Sequence, residues 1–118
     1  MSNSNFRNLK VWQLARGLAR GIYAETQNFP RTEMFGLTQQ MRRAAISVLS
    51  NIAEGQGRST DADGRHFAVI ARGSLLEIEA QLVIAADLNY LPMDRAEQLI
   101  EQSIEVTKKI NALIRSYG

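Results

Sequence analysis

The sequence contains no cysteine, and only two prolines, one tryptophan and one histidine. Without cysteine there is no disulfide and no thiolate metal site, which fits a reducing compartment. With His66 as the sole histidine, a Ser-His-Asp arrangement would rest on that one residue. Asp63 and His66 stand three apart, which resembles half of a carboxylate–histidine metal pair, but a di-metal bundle needs a second such motif. No long apolar run exists either. The stretch Leu82–Ala86 falls far short of the ~20 residues that cross a bilayer. The opening Met1-Ser2-Asn3-Ser4-Asn5-Phe6-Arg7 has no apolar core of a secretory signal, so the expected location is the cytoplasm. No Asn-Gly turn and no sustained alternation of apolar and polar residues suggests a β-hairpin.

What is present is helical periodicity. The 118 residues fit one domain, with roughly 65% of the unfolded surface buried. Four segments are expected to be helical, at about 6–28, 32–57, 61–89 and 94–117. In the first, Val11, Leu14, Ala15, Leu18 and Ile22 share one face, widened by Trp12, Ala19 and Tyr23. In the second, Met41, Ala45, Val48 and Ile52 do the same, and Gly55 and Gly57 are expected to cap its C-terminus in the left-handed conformation. Those glycines are not a dinucleotide loop, since no strand precedes them and no third glycine follows at the required spacing.

The third segment opens on Thr60-Asp61-Ala62-Asp63, a capping-box spacing with aspartate in the last place. Phe67, Ile70, Ala71, Ile78, Leu82 and Ala85 are expected to face the core. Val69, Leu76 and Val83 recur every seven residues on a second face. A helix in a four-helix monomer has no neighbour for a second apolar stripe, so that stripe, with Trp12 and Tyr23, is expected at a subunit interface. The fourth segment places Asp94 and Glu97 near its start and Lys108, Lys109 and Arg115 near its end, matching the helix dipole. Short connections make the expected fold an all-α, antiparallel, up-down-up-down four-helix bundle.

Two polar patterns carry the candidate sites. Ser47, Asn51, Glu54 and Arg58 form a stripe beside the apolar face of the second segment, and Ser74 and Glu77 do so on the third. If the stripes meet, Glu54 and Glu77 would be partly buried and need arginines such as Arg58 or Arg72. Such a set reads as a structural polar layer rather than a catalytic site. The second pattern is charge. Residues 1–58 hold eight Lys/Arg against three acids, whereas residues 59–90 hold two against five. Lys10, Arg16, Arg20, Arg42 and Arg43 are the candidate phosphate contacts on the basic first hairpin. No sequence-reading module accompanies them, so binding would be to backbone or shape.

Several blocks carry a family resemblance: Phe6-Arg7-Asn8-Leu9-Lys10-Val11-Trp12, Phe35-Gly36-Leu37-Thr38-Gln39-Gln40-Met41-Arg42-Arg43, Asn51-Ile52-Ala53-Glu54-Gly55, and Ile70-Ala71-Arg72-Gly73-Ser74-Leu75-Leu76-Glu77. The chain resembles the four-helix-bundle proteins encoded in intervening sequences of bacterial 23S ribosomal RNA, together with the accessory variability protein of diversity-generating retroelements. The resemblance implies a ring-shaped homopentamer and, for the retroelement branch, a surface that binds nucleic acid and a reverse transcriptase. It brings no catalytic residue and no cofactor. The expected function is therefore a non-enzymatic homo-oligomer that binds RNA or DNA backbone, with a protein-interaction adaptor as the alternative.

Overall fold

The apolar spacing becomes four helices. The computed structural model describes residues 5–118, and among them are α1 (Lys10–Thr26), α2 (Leu37–Gln56), α3 (Asp61–Asp87) and α4 (Met93–Ser116), with no strand. Short 3₁₀ turns at Phe6–Asn8 and Arg31–Glu33 precede α1 and α2. The helices run antiparallel around a square, 44 Å along the longest axis. Four cross-helix contacts set the register: Trp12 with Leu49, Ser47 with Ser74, Arg72 with Asn111, and Arg95 with Glu25. Trp12, early in α1, meets Leu49 late in α2; Arg95, early in α4, meets Glu25 late in α1; and Ser47 meets Ser74 at the middle of α2 and α3, as antiparallel neighbours do.

Val11, Ala15, Leu18 and Ile22 of α1 close on Met41, Ala45, Val48 and Ile52 of α2. The buried side of α3 is Ala71, Leu75, Ile78, Leu82 and Ala85, and Leu99, Val106 and Ile110 complete the core from α4. Leu75 is buried although the spacing argument omitted it, and Ile70 is exposed although that argument placed it inside. At about 100° per residue, Ile70 stands roughly 80–140° around the helix from Ala71, Leu75 and Ile78.

The helix ends differ from expectation in three places. α1 starts at Lys10, not Phe6, because the extended Leu9 separates it from the 3₁₀ turn. Phe6 instead sits edge-on to the Trp12 ring at 4.9 Å. α2 starts at Leu37, where a Glu33 carboxylate oxygen accepts from the Leu37 N–H at 2.9 Å. Neither Gly55 nor Gly57 is left-handed; Gly57 has φ −90° and ψ 0°. Gly55 lies inside α2, buried against α3, where a Cβ would come within 3.0 Å of the Gly64 carbonyl. Its role is to let the two backbones approach.

The left-handed residue that ends α3 is Asn89, φ 61°. Its N–H donates to the Ala86 carbonyl and the Tyr90 N–H to that of Ala85, both at 2.9 Å. This is the Schellman pattern, with asparagine in place of glycine. At the start of α3 the Thr60 hydroxyl accepts from the Asp63 N–H, half of the expected capping box.

Candidate nucleic-acid interface

Lys10, Arg16 and Arg20 all lie exposed on the outer side of α1. The Arg16 guanidinium leans over the Trp12 ring, 5.8 Å from its centroid. Trp12 is half-buried and fixed within the subunit: its indole N–H donates to the Leu49 carbonyl at 3.2 Å. The stripe continues to Tyr23, where the chain turns toward α2.

There the structure gathers residues that are far apart in sequence. The Arg42 guanidinium lies 4.7 Å above the Tyr23 ring. Its Nε donates at 2.9 Å to the hydroxyl of buried Thr26, which itself donates to the Ile22 carbonyl. Tyr23, Arg42 and Arg43 line a groove of about 850 Å³ at the α1–α2 connection. Arg31, Met34 and Phe35 complete it, and Phe35 is 85% exposed. The sequence reading missed those three. Its available signal was two large apolar residues, Met34 and Phe35, in a connection with no helical partner.

The electrostatics follow from how the acids are engaged. Glu25 pairs with Arg95 at 2.6 Å, and Glu54 with Arg58 at 2.6 Å. Glu33 accepts from the Leu37 N–H and from the Tyr90 hydroxyl. Those bonds hold the Glu33 carboxyl below its ordinary range, and the hydrogen bond to Glu33 pushes the Tyr90 hydroxyl above its own. All three carboxylates of the first half are thus occupied. Among the described residues Lys10, Arg16, Arg20, Arg31, Arg42 and Arg43 form no ion pair.

The polar residues between α2 and α3 form a smaller set than the stripes suggested. Ser74 donates to the Ser47 hydroxyl at 2.9 Å, and Asn51 donates to the Ser47 carbonyl at 2.8 Å. Glu54 and Glu77 are exposed rather than partly buried, because both point outward from the α2–α3 seam. Arg58 answers Glu54 on the surface, with its guanidinium over Phe67, and Arg72 turns to Asn111 on α4. Nearby Gln81 is buried with its Oε1 unpartnered. Val69, Leu76 and Val83 are exposed together on the outer side of α3. His66 is exposed beside Phe67, and no three metal-ligating side chains converge among the described residues. No helix among those residues is long and apolar enough to cross a membrane.

The family model for 23S rRNA-intervening sequence proteins matches residues 7–112. The chain belongs to that family. The matched span takes in α1, α2, α3 and most of α4, so every candidate phosphate contact lies within the family's region. The bundle also superposes on the crystal structure of a protein of unknown function from the S23 ribosomal protein family of Bacteroides thetaiotaomicron. The TM-score is 0.79 at 23% identity, covering 88% of this chain and 97% of the other. At that identity the likeness speaks to the fold alone. No curated protein matches the chain. Neither the family description nor the structural neighbour names an enzymatic activity.

Proposed function

We propose that this 23S rRNA-intervening sequence protein is a non-enzymatic, self-assembling bundle that binds RNA or DNA through phosphate contacts. The observation that carries the reading is the uncompensated charge of the first hairpin. Its three acids are all engaged, while Lys10, Arg16 and Arg20 along α1 and Arg42 and Arg43 at the groove have no carboxylate partner. Six of the seven cations of that half without an ion pair among the described residues are arginines, whose planar fork suits phosphate oxygens. Binding of this kind is indifferent to base sequence.

The test is a titration of labelled RNA and duplex DNA across salt concentration. Affinity should fall with a log–log slope of about −0.9 per phosphate neutralised. Reversing Lys10, Arg16 and Arg20 to glutamate should reduce that slope by about 3 on duplex DNA. No binding at low salt, or binding that ignores salt, would remove the proposal.

Self-assembly is supported by the exposed Val69, Leu76 and Val83, which have no covering element within the subunit. The sequence resemblance adds a ring of five copies, whose mass light scattering would read. For the retroelement branch it adds a reverse transcriptase as partner, testable by co-purification of the two proteins after nuclease treatment.

A further inference from the structure

Two apolar surfaces on opposite flanks of α2 are left uncovered, and they differ in charge. The first is the outer face of α3. From Val69 to Leu88 it is about 28 Å long at 1.5 Å per residue, and Leu76 at its centre is 61% exposed. Val83, Ile84 and Leu88 extend it. Its exposed charges, Glu77 and Asp87, are acidic and form no ion pair among the described residues. The base on this stretch, Arg72, is half-buried and turned to Asn111 of α4. The second surface is the groove at the α1–α2 connection. Phe35, Met34 and Ile46 give it an apolar floor and lip, Arg31, Arg42 and Arg43 line it, and no carboxylate does.

Gly73 leaves room for a close approach on the first surface, as Gly17 does on α1. It lies exposed in the middle of α3, and a Cβ there would meet nothing within 4 Å. Glycine at such a place costs about 1 kcal/mol of helix stability relative to alanine. No contact inside the subunit needs the missing side chain, unlike at Gly55 and Gly64, where neighbouring atoms crowd the position. An outside backbone passing close over Gly73 would.

We infer that the outer face of α3 of one copy seats in the α1–α2 groove of the next, so that the chain assembles head to tail. This rests on the self-assembly reading above and specifies which surface meets which. Charge decides the pairing. Two α3 faces laid together would oppose their acids with no free base between them, and like charges across an interface disfavour it. The groove offers three arginines with an apolar bed, the complement of Glu77 and Asp87 set among Leu76, Val83 and Ile84. A contact between two different surfaces repeats from copy to copy, closing a ring or running on as a fibre. In that arrangement the groove arginines meet a neighbour's carboxylates, and the phosphate-binding surface left open is the Lys10–Arg16–Arg20 stripe.

The test is complementation between two broken surfaces. Leu76→Asp spoils the α3 face and keeps the groove; Phe35→Asp spoils the groove and keeps the α3 face. Both positions are exposed, and circular dichroism would check that each variant keeps its helices. If either does not, Val83→Asp and Met34→Asp replace them on the same surfaces. In sedimentation, each variant alone should run as a monomer of 13.2 kDa. Their mixture should double that mass and go no further, since each partner keeps one working surface. Wild-type protein that stays monomeric at micromolar concentration would refute self-assembly and this pairing with it. With wild type assembled, a mixture that forms no dimer would overturn the pairing alone, and so would Phe35→Asp that dimerises by itself, the result expected if α3 met α3.

Discussion

Replacing Gly64 with alanine should destabilise the bundle, although alanine is the better helix former. The reason lies at the far end of the chain. Tyr117 follows α4 and lays its ring across Gly64, where a Cβ would come within 2.8 Å of ring atoms Cδ1 and Cζ. The ring is held by two bonds: Gln56 donates to the Tyr117 hydroxyl at 2.7 Å, and Arg65 to its carbonyl at 3.2 Å. The new methyl would push the ring out. The hydrogen bonds contribute about 1 kcal/mol each, and the ring's partial burial adds about 1 kcal/mol. Against that total of about 3 kcal/mol, alanine returns about 1 kcal/mol of helix propensity. The expected net loss is about 2 kcal/mol, or roughly 8 °C in Tm for a chain of this size. In a Tyr117→Ala background the obstacle is gone, and the same change should stabilise by up to about 1 kcal/mol. Urea unfolding of the four proteins at one fixed concentration measures both steps, since the assembly proposed above would make stability concentration-dependent. A Gly64→Ala that stabilises the wild type, or acts equally in both backgrounds, would refute the argument.

Two further outcomes concern the core and the loop end. Leu82→Ala, at a fully buried position, should cost about 2–5 kcal/mol in urea unfolding, and a change below 1 kcal/mol would mean that the α3 core face is misassigned. The Glu33–Tyr90 bond should make stability fall at both pH extremes. Glu33 is lowered in the folded state, so its contribution is present above the ordinary carboxylate range and is lost as pH falls through the folded value. Tyr90 is raised, so its contribution is present below the ordinary phenol range and is lost as pH rises through the folded value. Glu33→Gln should flatten the acid limb of the stability–pH curve and Tyr90→Phe the alkaline limb; curves parallel to wild type would exclude the linkage.

The sequence carried the bundle because its signal is local. Val11, Ala15, Leu18 and Ile22 share a face in any helix built from that stretch, and Thr60 caps α3 through a neighbour three residues on. It misassigned features that depend on partners distant in sequence. A glycine that stops a helix and one that lets two helices touch look alike in one dimension, so Gly55 read as a cap until Gly64 was brought against it. Ile70 and Leu75 are both apolar, and only the rotation of α3 against α2 and α4 decides which is inside. The Glu54 and Glu77 stripes flank the seam, but the small residues Ser47 and Ser74 fill it. The groove needed the tertiary fold, since Tyr23, Phe35 and Arg42 meet only through the turn at Arg31–Glu33.

The segregation of charge has a physical logic if the copies dock head to tail. An exposed apolar face such as that of α3 would, uncharged, associate with any similar surface, itself included. Glu77 and Asp87 make that self-pairing repulsive and favour an apolar site rimmed with arginine, which this same chain supplies on the other side of α2. The attraction consumes charge at the contact only. Lys10, Arg16 and Arg20 lie on α1, away from α3, so each added copy brings another unpaired stripe to the same assembly. A polyanion long enough to reach two stripes would meet the second at high effective concentration. Three modest cations per copy then suffice for firm binding, without the excess of basic residues that a lone bundle would need.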